Sequence, residues 1–316
     1  MNNKCLYCYE KLEKSNKGDF HAHCSLEFFG TDKVPQLPYS FAQMAELAKN
    51  VVERSVAVPG VQPKLSLSLV NEIIGKTKSE RLTVVGALGG NYIFKPPSSE
   101  YSEMPQNEHV TMRIAEAFGI RTVQSSLIRL QSGELSYITK RIDRTAKGDK
   151  IHMIDMFQVL EAVDKYKSSM AKIGKALGDY STNPLLDKLY FFELSVLSFL
   201  TGNNDMHLKN FSMINNDKDW GLSPAYDLLN VSMVNPKDTE ELAITLEGKK
   251  KKLKLEHFES LGKGLGLNEK QISGVFKRFI KNKSIANDWI SNSFLSIDNQ
   301  KKYKSLLKDR YSRLAE

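Results

Sequence analysis

The chain has 316 residues, 41% of them hydrophobic and 26% charged, an ordinary globular composition with length for one two-lobed unit or two domains. Its 45 Lys and Arg against 37 Asp and Glu leave a net charge of +8, which permits an acidic partner such as nucleotide or RNA but does not speak to fold. The most apolar stretch, Leu185 to Leu200, is shorter than a membrane span and carries Asp187, Lys188 and Glu193, so a buried helix is expected there and no membrane partner.

From the amino end, MNNKCLYCYEKLEKSN has neither the apolar core nor the small-residue cleavage site of a signal peptide, and a cytoplasmic chain is expected. The three cysteines fall in the first 24 residues: Cys5 and Cys8 form a CxxC pair, and His21 and Cys24 an HxxC pair. Three thiols and an imidazole suit tetrahedral Zn2+, and an odd cysteine count argues against a disulfide framework. Residues 1–30 have too little core to fold without a staple, so a zinc-knuckle-like appendage is expected. His23 competes with His21 as the fourth ligand. The acidic residues Glu10, Glu13, Asp19 and Glu27 favour a structural or protein-docking role over nucleic-acid binding.

DKVPQLPYS reads as a connector and SFAQMAELAKNVVER as a helix. KLSLSLV, RLTVVGA and NYIFKPP read as strands, with Gly89 and Gly90 as a hairpin turn between the last two. QNEHVTMRIAEAFGI predicts a helix ending near Gly119, and VQSSLIRLQSGELSYITKRID two strands joined around Ser132 and Gly133. Residues 31–143 are therefore expected to be a mixed sheet with helices. Residues 144–316 are expected to be mainly helical, around Met153–Val163, 185–200, Glu269–Phe294 and Gln300–Leu314. NFSMI, DWGLSPAYD and LAITLEGKKKKLKL interrupt with strand or hairpin texture. The run GKKKKLKLEHF reads as an exposed hairpin, and Tyr303, Leu306, Leu307, Tyr311 and Leu314 as the packing stripe of the last helix.

The chemistry concentrates in TGNNDMHLKNF, where Asp205, His207, Lys209 and Asn210 follow an apolar run. Phosphoryl transfer needs a carboxylate beside the acceptor hydroxyl and oxygen ligands for magnesium; kinase loops place Asp and Asn five positions apart. Asp205 and Asn210 have that separation, and Asp227 in SPAYDLL offers a second carboxylate 17 positions on. His207 and Lys209 can contact phosphate, Lys209 as a point charge. Upstream, VAVPGVQPKLSL provides a loop with Gly60 and Lys64, Lys95 ends a strand-like run, and Glu108 follows 13 residues later near a helix start. Each has an ordinary explanation: a polar turn, a snorkelling lysine, a carboxylate favoured by the helix dipole. Their joint order, loop, lysine, glutamate, Asp/Asn, Asp, is that of a kinase.

GVQPKLSL, YIFKP, NEHVTMRIAEAFGI, ITKRIDR, TGNNDMHLKNF and LSPAYDLL together resemble the HipA-like serine/threonine kinases, toxins of bacterial toxin–antitoxin modules, over roughly residues 40 to 316. The resemblance implies an α+β, bilobal protein-kinase-like fold, with a β-rich N-lobe, a mainly helical C-lobe and the knuckle appended. It implies ATP and Mg2+ as cofactors, Asp205 as catalytic base, Asn210 and Asp227 as Mg2+ ligands and Lys209 beside the transferred group. Lys95 held by Glu108 would bind phosphate, with Gly60, Gln62 and Lys64 in the phosphate loop, His207 lining the nucleotide site, and Lys140 and Ile142 as the hinge facing adenine.

Two departures shape the expectation. Gly60 comes too early for the extra amino-terminal subdomain of longer members, which suits a short HipT-type toxin of a three-component system partnered by a HipS-like small protein and a HipB-like DNA-binding antitoxin, with DNA contacted only through the antitoxin. Ala57 stands where the family commonly autophosphorylates a serine, with Pro59 directly before Gly60 and Ser55 two residues before Ala57. The implied activity is phosphorylation of a translation component such as an aminoacyl-tRNA synthetase. A pseudokinase or co-repressor bridging antitoxin and DNA is the alternative, and a small-molecule or lipid kinase a third.

Overall fold

Leu65 and Leu67 are buried while Ser66 and Ser68 between and after them are half-buried, the period-two alternation of a strand with one face on a core. The computed structural model describes residues 3–54, 64–74, 77–85, 89–145 and 147–315. The chain divides into two compact units, Met1–His109 with Val123–Asp149, and Val110–Thr122 with Lys150–Glu316.

The first unit contains helices α1 (Ala22–Phe29) and α2 (Phe41–Arg54), strands β1 (Leu65–Ile74), β2 (Thr77–Val85) and β3 (Tyr92–Lys95), helix α3 (Met104–Ala117) as far as His109, and strands β4 (Ser125–Arg129) and β5 (Leu135–Lys140). The five strands form one antiparallel sheet in the order β2-β1-β3-β5-β4. Leu67, Leu82, Phe94, Leu127 and Ile138 lie fully buried in its core. The hairpin expected at Gly89 and Gly90 does not form, because the Leu65–Leu67 end of β1 pairs with β3 and so separates it from β2. Gly90 instead carries the chain tightly against β1 at φ +79. A Cβ there would lie 2.5 Å from the Leu67 carbonyl oxygen, which accepts the Asn91 N–H at 3.0 Å.

The amino-terminal segment packs into this unit. Phe28 and Phe29 of α1 meet the Tyr92 ring at 5.9 and 6.0 Å, the Leu127 N–H donates to the Leu6 carbonyl at 3.4 Å, and Arg129 grips Asp19 through two bonds of 2.9 and 3.1 Å.

The second unit comprises β6 (Met153–Asp155), α4 (Met156–Val159), α5 (Met170–Tyr180), α6 (Pro184–Thr201), β7 (Ser212–Asn216), β8 (Asp219–Leu222), α7 (Val231–Val234), α8 (Leu255–Gly264), α9 (Glu269–Lys281), α10 (Lys283–Asn292) and α11 (Ile297–Arg313), with the carboxyl half of α3. Strands β6, β7 and β8 form a small antiparallel sheet. Helix α6 is its axis. Pro184 supplies a preset φ in the first turn, and every residue from Phe191 to Thr201 is buried. Its buried Glu193 is matched by Arg278 at 2.6 Å, and Asp187 accepts from the Ser181 hydroxyl and, at 2.9 Å, from the Leu222 N–H. The Thr111 and Tyr303 hydroxyls, 2.8 Å apart, join α3 to α11, whose stripe of Tyr303, Leu307, Tyr311 and Leu314 is buried.

One expectation is corrected and another sharpened. Met153–Val163 is not one helix: Asp155 accepts the Gln158 N–H at 2.9 Å in a capping box, which ends β6 and starts the single-turn α4. LAITLEGKKKKLKL makes the expected hairpin but no extended strand: Leu246 and Lys249 exchange both backbone bonds, at 2.8 and 2.9 Å, across a two-residue turn, Leu253 is fully buried and α8 begins at Leu255. Two of its lysines are engaged, Lys250 by Glu240 at 3.2 Å and Lys251 by the Thr239 hydroxyl at 2.6 Å. Among the described residues, no helix is long and apolar enough to cross a membrane.

Candidate active site and metal centre

The polar loop hangs from the end of α6. Gly202 takes a left-handed φ of +71, and a Cβ there would meet Leu306, Asn230 and Ser232 at 2.9 to 3.1 Å, so glycine lets the chain leave the helix here without strain or displaced side chains. The backbone then folds on itself. The Asp205 carbonyl accepts the His207 N–H at 2.8 Å and the Asn210 side-chain amide at 2.9 Å, which ties the two ends of the Asp205–Asn210 segment together. Asp205 is half-buried, Asn210 buried and Lys209 exposed, with the Lys209 ammonium 4.8 Å over the Phe157 ring.

The segment carrying Asp227 is fastened to this loop. The Asn203 side-chain amide donates to the Asp227 carbonyl at 3.4 Å, and the Tyr226 hydroxyl donates to the Lys209 carbonyl at 3.0 Å while sharing a 2.6 Å bond with Ser212. Asp227 holds a left-handed backbone at φ +56, a conformation that costs an L-residue roughly 1 kcal/mol and is kept by such surroundings. Asp205, His207, Lys209, Asn210 and Asp227 thus belong to one small assembly of the second unit.

His207 is buried, and burial holds its imidazole below the usual range against the opposing pull of Asp205. The ring is therefore neutral at physiological pH. Its Nδ1 accepts the Lys209 N–H at 3.3 Å, which leaves Nε2 as the protonated, donating atom. A residue that sequence reasoning missed completes the assembly: the Tyr166 hydroxyl donates to Asp205 Oδ1 at 2.8 Å. No local pattern marks Tyr166, which stands 39 positions before its partner.

In the first unit, the Lys95 ammonium meets Glu108 Oε1 at 2.6 Å, with both side chains buried. β3 delivers the lysine opposite Tyr137 of β5, whose ring lies 5.3 Å from the ammonium. Removing one partner leaves the other charge buried, so Lys95→Met or Glu108→Gln alone is expected to destabilise the protein by about 3–5 kcal/mol. The double variant should recover much of that loss, as measured by chemical denaturation.

Lys140 donates its ammonium to the Glu27 carbonyl of α1 at 3.2 Å and its backbone N–H to the Gln124 carbonyl at 2.9 Å; Ile142 is half-buried just beyond β5. Lys64 is exposed, while Ser55, Ala57, Pro59, Gly60 and Gln62 lie outside the described residues.

The amino-terminal segment brings together Cys5, Cys8, His21 and Cys24, whose ligand atoms all lie within 4.8 Å of one another. A turn carries the first two, and the start of α1 the other two. His21 Nδ1 faces the sulfurs, 3.5 Å from Cys8 and 3.8 Å from Cys24, while Nε2 lies 3.2 Å from the Lys11 carbonyl. A ring nitrogen anchored in this way leaves the other as a metal ligand. His23 stacks on the His21 ring at 5.1 Å and is outside the ligand group. The Cys8 thiol holds Cys5 down at about 4 and is itself pushed up, and burial with the neighbouring Cys5 raises Cys24 to about 11. Such a set loses all its thiol protons together only around a cation, and three sulfurs with one nitrogen fit zinc.

Known structures share this architecture. The Shewanella oneidensis HipA toxin, solved with HipB and its operator DNA, superposes with a TM-score of 0.67 at 20% identity, over 86% of this chain and 71% of that one. The Helicobacter pylori proinflammatory kinase CtkA gives 0.53 at 16%, over 74% of this chain and 90% of that one. The fold is that of the HipA and CtkA kinases, here α+β with a cysteine–histidine cluster near the amino end.

The profile of the HipA-like C-terminal domain matches residues 56–289, and the chain belongs to that family. A protein of Haemophilus influenzae and one of Sinorhizobium fredii, both provisionally named kinases, are 27% and 33% identical over 246 residues. Those matches take in 73% and 72% of this chain but 69% and 58% of the relatives. The serine/threonine-protein kinase toxin HipA of Shewanella oneidensis is 24% identical over 61% of this chain and 47% of its own length, so the chain spans about half to two thirds of these relatives.

Proposed function

We propose that the chain is a Mg2+- and ATP-dependent serine/threonine protein kinase acting as the toxin of a bacterial toxin–antitoxin system. The observation that carries this is the closed Asp205–Asn210 loop with Asp227 fastened beside it, in a chain of the HipA-like family. Asp205 is the base: it takes the proton of a serine or threonine hydroxyl as the new O–P bond forms and the bond to the departing ADP breaks. Asn210 and Asp227 would hold magnesium, which when bound would supply positive charge to the phosphates. Lys95, fixed by Glu108, binds phosphate oxygens, and Lys209 supplies a positive charge beside the transferred group. His207 contributes a neutral donor at Nε2.

Cys5, Cys8, His21 and Cys24 hold a structural zinc in this reading; four protein ligands leave no open position for catalysis. Its family membership suggests partners of the HipS and HipB kinds and a substrate in translation, such as an aminoacyl-tRNA synthetase, in a cytoplasmic setting. Calorimetric titration with Mg2+–ATP tests the nucleotide part. Wild type should bind, and the Lys95→Met, Glu108→Gln double variant should bind at least about tenfold more weakly, the loss of one charge-assisted contact. No binding to the wild type at millimolar nucleotide would instead favour a bridging module between antitoxin and DNA.

A further inference from the structure

Tyr166, outside the Asp205–Asp227 stretch, reaches the proposed base directly through its side chain. Its hydroxyl donates to Oδ1 at 2.8 Å, and its ring meets His207 edge-on at 5.0 Å. The backbone beside it is bound to the same loop, the Leu208 N–H donating to the Lys165 carbonyl at 3.2 Å. Tyr166 is itself set in place, its N–H donating to Asp164 Oδ1 at 2.9 Å and the Lys165 ammonium lying 4.9 Å over its ring. Partial burial and the facing Asp205 push the phenol up, so it remains a donor at any physiological pH although the residue is 39% exposed.

A carboxylate acting as base must present one oxygen to the incoming hydroxyl in a fixed direction, and a rotating carboxylate spreads its time over unproductive poses. A donor locked onto Oδ1 removes that rotation and leaves Oδ2 as the acceptor. We infer that Tyr166 is the positioning residue of the catalytic base, selecting Oδ2 of Asp205 as the oxygen that receives the substrate proton. The inference rests on the proposed role of Asp205. The three ties from Lys165–Tyr166 to a single loop mark a built-in brace. A plug standing in the acceptor's place would raise activity when removed.

The test is a double-mutant cycle on the full chain, reading ADP release from Mg2+–ATP with a degenerate serine/threonine peptide pool as acceptor. Tyr166→Phe keeps the ring on His207 and removes only the hydroxyl. It should lower kcat about 10- to 100-fold, the loss of one hydrogen bond to a charged group, with KM for ATP unchanged. In an Asp205→Asn background the same substitution should cost less than about twofold, because the oriented base is already gone. Tyr166→Phe activity at or above wild type would overturn the inference, and so would an equal loss in both backgrounds, which marks a general structural role. Undiminished activity of Asp205→Asn by itself would instead remove Asp205 as base, a separately readable failure.

Discussion

Asp205→Asn is expected to lower phosphate transfer by about a hundred- to ten-thousandfold while leaving Mg2+–ATP affinity and the unfolding transition unchanged. The substitution keeps the shape of the side chain and an oxygen able to accept the Tyr166 hydroxyl, now 2.8 Å away, so the loop should hold its form. The Asp205 backbone carbonyl, which binds Asn210 and His207, is untouched. Only the capacity to take a proton is removed. A kcat effect without a binding effect is the signature of a group used in the transition state alone, read by steady-state kinetics beside calorimetry. A variant that fails to bind nucleotide would show that Asp205 shapes the site and does not serve as its base.

The second large effect is expected at the cysteine cluster. Purified protein should carry one equivalent of zinc by elemental analysis, and Cys5→Ser with Cys8→Ser should carry none. Zinc-finger peptides gain about 10–16 kcal/mol of apparent binding energy from a site of this composition, so the loss should loosen the first unit by several kcal/mol. The damage should extend past the knuckle. Its Tyr9 hydroxyl meets the fully buried His109 at 2.8 Å, one residue from Glu108, and Phe28 and Phe29 pack on Tyr92. Weaker binding of Mg2+–ATP in the metal-free protein, restored by adding zinc back, follows from that chain of contacts. Protein that contains no zinc, yet melts and binds nucleotide like the wild type after both cysteines are replaced, would show that the four donors merely lie close together.

Local chemistry accounts for what could be read from the residues alone. TGNNDMHLKNF is one short loop after a helix-ending glycine, so its five-residue spacing already confines Asp205 and Asn210 to one place, and they lie there joined through a 2.9 Å bond. Period-two patterning marked β1, a continuous apolar run marked α6, and a helical stripe marked α11. What was illegible depends on distant pairing. β1 inserts between β2 and β3, which turned the expected glycine hairpin into a close crossing at Gly90. α5 was overlooked although Met170, Ile173, Ala176 and Leu177 stand at helical spacing and are buried, and an aspartate cap broke Met153–Val163 where periodicity suggested continuity. Tyr166 and the Tyr9–His109 brace carry no motif, since a partner 39 or 100 positions away leaves no trace in spacing. His21 stands just before α1 in extended backbone while His23 lies inside the helix, a difference in ring direction that spacing does not carry.

The central claim, that this chain transfers phosphate from ATP to protein hydroxyls through Asp205, is tested most directly by comparing the phosphoproteomes of cells expressing wild type and Asp205→Asn at equal levels. New phosphoserine or phosphothreonine on a small set of proteins, translation components foremost, is expected together with growth arrest, both present with wild type and absent with the variant. Identical phosphoproteomes with growth arrest in both strains would contradict the claim.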